Sequence, residues 1–211
     1  MESTLRRGAG APGLKLIETL AWDGGRFVRL DLHLARLAAS AASLGWGCDL
    51  AAAQAALFAC PAKVPARVRL TLDARGSIDV SCAVMPEPAL LWQVGLAERR
   101  LASSDPWLGV KSTNRAIYDA ARAALPVGLD EVIFQNERGE VCDGSITTVF
   151  FDAGDGLSTP QLGCGVLPGV LRAEMLAQGA VREAVLHSSD LARVQVWVGN
   201  SLRGLIAAKF N

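Results

Sequence analysis

The sequence predicts an α+β fold, and three observations carry that expectation. Short apolar runs flank Gly- and Asp-containing turns, the mark of hairpins. Two Ala- and Leu-rich stretches instead repeat at helical spacing. Hairpins and helices are interspersed, without the strict strand–helix alternation of a doubly wound sheet.

In chain order, "LKLIETLAWDGGRFVRL" places apolar runs on both sides of Asp23-Gly24-Gly25 and reads as a hairpin. "DLHLARLAASAASLGW" changes period: Leu34, Leu37, Ala41 and Leu44 recur at helical spacing, with Asp31 as the expected N-cap. A second Ala-rich helix is expected over 50–59. "ARVRLTLDARGSIDVSCAV" is a hairpin turning at Asp73-Ala74-Arg75-Gly76, and "ALLWQVGLAERRL" adds a strand. "ASSDP" at 102–106, small, polar and Pro-terminated, is the best linker. Beyond it come a helix after Lys111, the strand "DEVIFQN", a turn at Glu137-Arg138-Gly139 and a second strand, "TTVFF". "GVLPGVLRAEMLAQG" is a Gly/Pro loop feeding a helix, and "VQVWVGNSLRGLIAA" is a late strand pair. No internal repeat is present.

At 211 residues the chain is long enough for one large domain or two small ones. Its 21 basic residues match its 21 acidic ones, so no field recruits nucleic acid or an anionic membrane, and a small-molecule partner is favoured by elimination. Five cysteines without a C-x-x-C pair favour a reducing cytoplasm over a disulfide framework or a zinc site. "MESTLRRGAGAPG" lacks the apolar core of a signal peptide. The Ala-rich stretch 37–62 is divided by Asp49, so neither half reaches the roughly 20 apolar residues of a membrane span. A soluble, cytoplasmic chain is expected.

Lys111 follows the apolar run Trp107-Leu108-Gly109-Val110 and stands just before a predicted helix. The positive end of a helix dipole is a poor neighbour for an ammonium group. Lys111 is therefore either a boundary residue or an amine held for chemistry. Other signals are weaker. "GAGAPG" at residues 8–13 satisfies G-x-G-x-x-G, but too little chain precedes it for a strand and Pro12 interrupts it. There is no H-E-x-x-H or G-x-S-x-G, no metal site is expected, and His33 on a Leu-rich helix reads as a packed ring.

Arg36 shares a helix flank with His33 and Ser40. It is either solvated or, if the helix lines a cleft, a fork able to bind phosphate at two points. Leu167-Pro168-Gly169-Val170-Leu171 opens a helix, either as a Pro-initiated start or as an anion site of free N–H groups. "GNSLRG" at 199–204 is a turn or, through Ser201, a further phosphate donor. Asp143 in "GEVCDGSITTVFF", just before a strand and flanked by apolar or small residues, reads on its own as a turn aspartate. Together, a lysine amine, an acid, an arginine and helix-end donors are what pyridoxal phosphate requires.

The combination resembles the fold-type IV pyridoxal-phosphate enzymes, the class IV aminotransferase family, whose members include branched-chain and D-amino-acid aminotransferases and aminodeoxychorismate lyases. The likeness runs in order through "LIETLAWDGGRFVRLDLHLARL", "VKSTNRAIYDAAR", "DEVIFQNERGEVCDGSITTVFF", "GVLPGVLR" and "GNSLRGL". It implies a D-amino-acid-aminotransferase-like fold of two α+β domains, 1–102 and 103–211, with the cofactor in the cleft between them and a homodimer closing the site. Lys111, placed in the second domain, matches the Schiff-base lysine, Asp143 the acid at the pyridine nitrogen, and Arg36 the phosphate-binding arginine. Leu167 matches the residue on the ring face, Val170 and Leu171 the backbone phosphate donors, and Ser201 a further phosphate contact.

"VKSTNRA" and "GNSLRG" resemble the short lyase-type members. That likeness implies conversion of 4-amino-4-deoxychorismate to 4-aminobenzoate and pyruvate, in folate precursor synthesis. The alternatives are an aminotransferase of branched-chain or D-amino acids and a cofactor-binding relative with little or no activity. Four departures bear on activity: Asp143 stands where the family usually has Glu, Thr148 where Asn is usual and Leu171 where Thr is common, and the front end is short.

Overall fold

Two apolar runs in "KLIETLAW", Leu16-Ile17 and Leu20-Ala21-Trp22, make β1 (Lys15–Trp22), a strand buried on both faces and preceded by a short helix α1 (Thr4–Gly8). The computed structural model describes residues 4–60 and 64–211. β1 pairs antiparallel with β2 (Ala66–Asp73), which pairs antiparallel with β3 (Ile78–Val84). In β2, Ala66, Val68, Leu70 and Leu72 point inward while Arg67 and Arg69 face solvent. The turn between β2 and β3 forms where expected: Asp73 Oδ1 accepts the Arg75 and Ser77 N–H groups, and Gly76 takes the positive φ of 80° that the reversal needs.

The hairpin expected around Asp23-Gly24-Gly25 has almost no return strand. Asp23 caps the Gly25 and Arg26 N–H groups, one bridge joins Trp22 to Phe27, and the chain enters α2 (Leu30–Leu44). The Trp22 and Phe27 rings pack with Phe58, which favours this early turn inward. Asp31 is not the N-cap of α2. That position is Arg29, in the left-handed region at φ 58°, and Asp31 lies in the first turn, where its charge still suits the dipole. α3 (Leu50–Ala59) starts as expected, with Asp49 accepting from Ala52 N–H. α2 packs on β1 and α3 on β2 and β3, burying Leu37, Ala41, Leu44, Ala53 and Leu57. Each buried leucine contributes on the order of 1.5–3 kcal/mol. Cys60 and Cys82 form a disulfide joining the end of α3 to β3, contrary to the expectation of thiols throughout, while Cys48, Cys142 and Cys164 are free.

The remaining strands are β4 (Leu91–Leu96), β5 (Glu131–Gln135), β6 (Val141–Gly144), β7 (Thr148–Asp152), β8 (Leu157–Pro160), β9 (Arg182–Ala184), β10 (Gln195–Asn200) and β11 (Gly204–Phe210). They run in the order β10-β11-β4-β5-β6-β7-β8-β9, and a further β7–β10 pairing closes the first six into a ring. Trp92, Val94, Ile133, Val149, Val196, Val198 and Ile206 form a core cluster. Two helices accompany this sheet, α4 (Ala116–Ala123) and α5 (Val170–Ala177).

The chain forms two units, Met1–Glu87 with Val110–Asn114, and Pro88–Gly109 with Arg115–Asn211. The break expected near residue 103 therefore falls inside the second unit. β4 pairs in parallel with β5 and β11, which draws the chain from Pro88 onward into the ring, and the "ASSDP" stretch leads into a 3-10 turn at Pro106–Gly109. Lys111 groups with the first unit, not the second. Its strip bonds along β1, with Ile17 N–H to Lys111 O at 2.9 Å and Thr113 N–H to Lys15 O at 2.8 Å.

Candidate active site

In the first unit the candidate residues gather around a buried carboxylate. β1 carries Glu18 inward and the first turns of α2 bring His33 and Arg36 to it. Arg36 donates from Nε to Glu18 Oε1 at 2.9 Å and from Nη2 to Oε2 at 2.6 Å. His33 Nδ1 lies 2.6 Å from Oε2. A carboxylate only accepts, so the ring donates from Nδ1. Burial alone would push the Glu18 carboxyl up, but Arg36 and His33 outweigh it and hold it below its ordinary value. Burial pushes the His33 ring down, aided by the Arg36 and Lys111 charges, against the pull of Glu18. The cluster is thus an ionised Glu18 clamped by Arg36 and a neutral His33. His33 is a packed, bonded ring as expected.

Arg36 is not solvated, yet the two-point fork expected for a phosphate is used by Glu18. Glu18 is a site residue beyond those expected, and its signal in the sequence is an acid inside an apolar strand. Lys111 is half-buried, its backbone held by Ile17 and its neighbour Ser112 bridged to Leu16.

In the second unit, Asp143 sits on β6, a strand the sequence hid because "VCDG" is short and reads as a turn. Asp143 is buried, and its Oδ2 accepts the Leu167 N–H at 2.6 Å. That bond joins the acid to the loop that starts α5. Gly169 follows, and a Cβ there would lie 2.7 Å from Thr148 Oγ1, so only glycine brings the helix start this close to β7. Thr148, standing where the family usually has Asn, fills this contact.

The Leu171 side chain turns into a cluster with Phe150 and Val181 and presses against Gly199. At a position where Thr is common, Leu171 can therefore offer a phosphate only its main-chain N–H. The contact with Gly199 sets the first turn of α5 beside the β10–β11 turn, where Ser201 is buried. Asn200 shapes that turn, its Oδ1 accepting the Leu202 and Arg203 N–H groups. A cavity of about 270 Å³ lies beside the Leu167 segment, lined by Ser104, Asp105, Leu108, Gly165, Val166 and Pro168 among others.

Further residues about the acid were not anticipated. Tyr118 packs edge-on against Phe134, and burial, with the Asp143 charge, pushes its hydroxyl far up, so it stays a neutral donor. Burial and the same charge raise the Cys142 thiol and make it inert. Arg115, four residues after Lys111, donates from Nη2 to Ser145 O at 2.9 Å, two residues after Asp143.

The profile of amino-transferase class IV matches residues 15–209. A crystal structure from Mesorhizobium loti, named provisionally as an amino-acid aminotransferase, is 45% identical, with a TM-score of 0.87 over 94% of this chain and 100% of its own. A Schizosaccharomyces pombe protein, named provisionally as an aminodeoxychorismate lyase, is 30% identical over 89% of this chain and 86% of its own. The crystal structure of 4-amino-4-deoxychorismate lyase from Pseudomonas aeruginosa is 26% identical, with a TM-score of 0.82 over 99% and 86% of the two chains.

Proposed function

The chain belongs to the class IV aminotransferase family, with the fold-type IV architecture, and from that premise we propose that it is a pyridoxal-phosphate lyase releasing 4-aminobenzoate and pyruvate from 4-amino-4-deoxychorismate. The observation that carries the cofactor reading lies in the second unit. The buried Asp143 is bonded to Leu167 N–H, three residues before a helix start that Gly169 brings against Thr148. An acid bonded to the loop that opens a helix with free N–H groups is the donor set that a pyridinium nitrogen and a phosphate need.

Pyridoxal phosphate, when bound, supplies an aldehyde that condenses with amines and a ring that accepts electrons. Lys111 would hold the aldehyde carbon, and its amine, when released, would serve as general base at the substrate carbon. Asp143, as carboxylate, would favour a proton on the ring nitrogen. Val170 and Leu171 N–H groups and the Ser201 hydroxyl would hold the phosphate, and Leu167 would pack on the ring. Arg36, whose Nε–Nη2 edge is engaged by Glu18, would reach the phosphate only through the other edge of its guanidinium. A second copy of the chain completes the assembly in this reading.

The lyase is supported by the two relatives of that name and by the "KSTNR" segment, whose Arg115 bonds the loop after Asp143. Transamination is the second reading, favoured by the 45% identical relative. The experiment that separates them supplies 4-amino-4-deoxychorismate without any 2-oxo acid and follows 4-aminobenzoate fluorescence. Product accumulating over many turnovers supports the lyase. Turnover only when a 2-oxo acid is added refutes it, and cofactor uptake without either reaction identifies a binding protein.

A further inference from the structure

Glu131 is fully buried on β5 and belongs to none of the roles assigned above. Its Oε1 accepts the N–H of Val132 at 3.0 Å, the N–H of Ser145 at 2.9 Å and the Ser145 hydroxyl at 2.5 Å. Its Oε2 accepts the N–H of Ile146 at 3.1 Å and the Thr147 hydroxyl at 2.9 Å. Arg122 Nη1 stands 3.7 Å from Oε1. A buried carboxylate is costly unless bonded, and this one is saturated by four groups of a single three-residue loop. The loop joins β6, which carries Asp143, to β7.

The ladder around Asp143 is otherwise thin. β6 and β7 share one register pair, Asp143 with Thr148, and the β5–β6 register shifts between Ile133 and Gln135. Glu131 also touches the acid's own strand. A Cβ on Gly144 would lie 2.9 Å from both Glu131 Cδ and Oε2, so the carboxylate rests on the main chain next to Asp143. The loop reaches onward too. Asn200 Nδ2 donates to Ile146 O at 3.1 Å, while the same side chain shapes the turn carrying Ser201.

We propose that Glu131 and Asn200 are positioning residues, a buried relay in which Glu131 sets the place of Asp143 and Asn200 ties that setting to the Ser201 turn. The inference rests on the cofactor reading above. Where strand pairing is too sparse to locate the acid, the carboxylate–loop bonds locate it. Through Asn200, the ring-nitrogen end and the phosphate end of the cofactor share one reference frame.

The test titrates the full chain with pyridoxal 5′-phosphate by absorbance, over a pH series, in wild type, Glu131→Gln, Asp143→Asn and the double variant. Glutamine offers one acceptor oxygen where the loop needs two, so Glu131→Gln is expected to shift the pH midpoint of the bound-cofactor spectrum and weaken retention about tenfold or more. The spectral shift should vanish when Asp143 is already Asn, because the relay acts through that acid. A shift of equal size in both backgrounds overturns the proposal. Asn200→Ala should weaken pyridoxal 5′-phosphate while leaving pyridoxal, which lacks the phosphate, unchanged; equal loss for both overturns the phosphate arm. If Glu131→Gln does not fold, Thr147→Val removes one hydroxyl bond, keeps the carboxylate and is judged by the same coupling with Asp143. A wild type that takes up no pyridoxal 5′-phosphate overturns the cofactor reading and the relay together. Binding by wild type and variants alike overturns the relay alone.

Discussion

Replacing Glu18 by Gln keeps the shape of the first unit's buried cluster and removes its one negative charge. The Glu18 and Arg36 side chains are 4% and 10% exposed, so the guanidinium would be left in the interior without its counter-charge. Removing one partner of such a pair costs about 3–5 kcal/mol, a large share of the roughly 5–15 kcal/mol that holds a domain folded. For a urea slope of about 2 kcal/mol/M, the unfolding midpoint drops by roughly 1.5–2.5 M with the slope unchanged. The contrast is Lys15 with Asp79, whose side chains are 37% and 65% exposed and stand 2.7 Å apart. Water already solvates that pair, so Asp79→Ala is expected to leave the unfolding midpoint nearly unchanged. The assay is urea unfolding by circular dichroism, with amide protection in β1 and α2 assigning the transition to this unit. A loss in Glu18→Gln no larger than that in Asp79→Ala would refute the argument that Glu18 is the electrostatic anchor of Arg36.

The same cluster makes the first unit acid-sensitive. The His33 pKa is lowered from its ordinary 6.5, so its contribution is complete above that pH and is lost as pH falls from 6.5 toward the depressed folded value. Glu18, lowered from 4.5, adds a second loss below that pH. Melting temperature should therefore be level above about 6.5 and decline below it, and His33→Gln should remove the first decline alone; an unchanged profile in the variant sinks the assignment. Lys111→Ala should leave a folded chain that borohydride no longer links covalently to pyridoxal 5′-phosphate, checked by intact mass, and persistent labelling would move the role to another amine. Asp143→Asn should keep the cofactor and lose most turnover because an amide cannot hold the ring proton, while Asp143→Glu retains part of it; near-native turnover in the Asn variant would return Asp143 to a turn role. Gly169→Ala should impair cofactor retention by driving Cβ into Thr148 Oγ1, and Thr148→Ala should restore it; failure of that rescue would show that the contact is not the cause.

Local patterns made much of the molecule legible. The helix over 50–59 follows from Asp49 and its Ala/Leu run, and the β2–β3 hairpin from Asp73 and Gly76, because caps and turns are satisfied within a few residues of themselves. Candidate residues stood out for the same reason, as chemical types misplaced in their surroundings: a lysine after an apolar run and an arginine beside a leucine stripe. The tertiary structure alone decided what depends on distant partners. Four-residue β6 is a strand only because β5 and β7 flank it, and the break between units lies after Glu87 because β4 pairs with β5 and β11. Lys111 belongs to the first unit because β1 bonds its strip, and Arg36 is committed to Glu18, eighteen residues away. Periodicity reports which face of a segment seeks the interior. Which carboxylate meets which cation there is set by long-range packing, where an unpaired buried charge costs several kcal/mol and so dictates its partner.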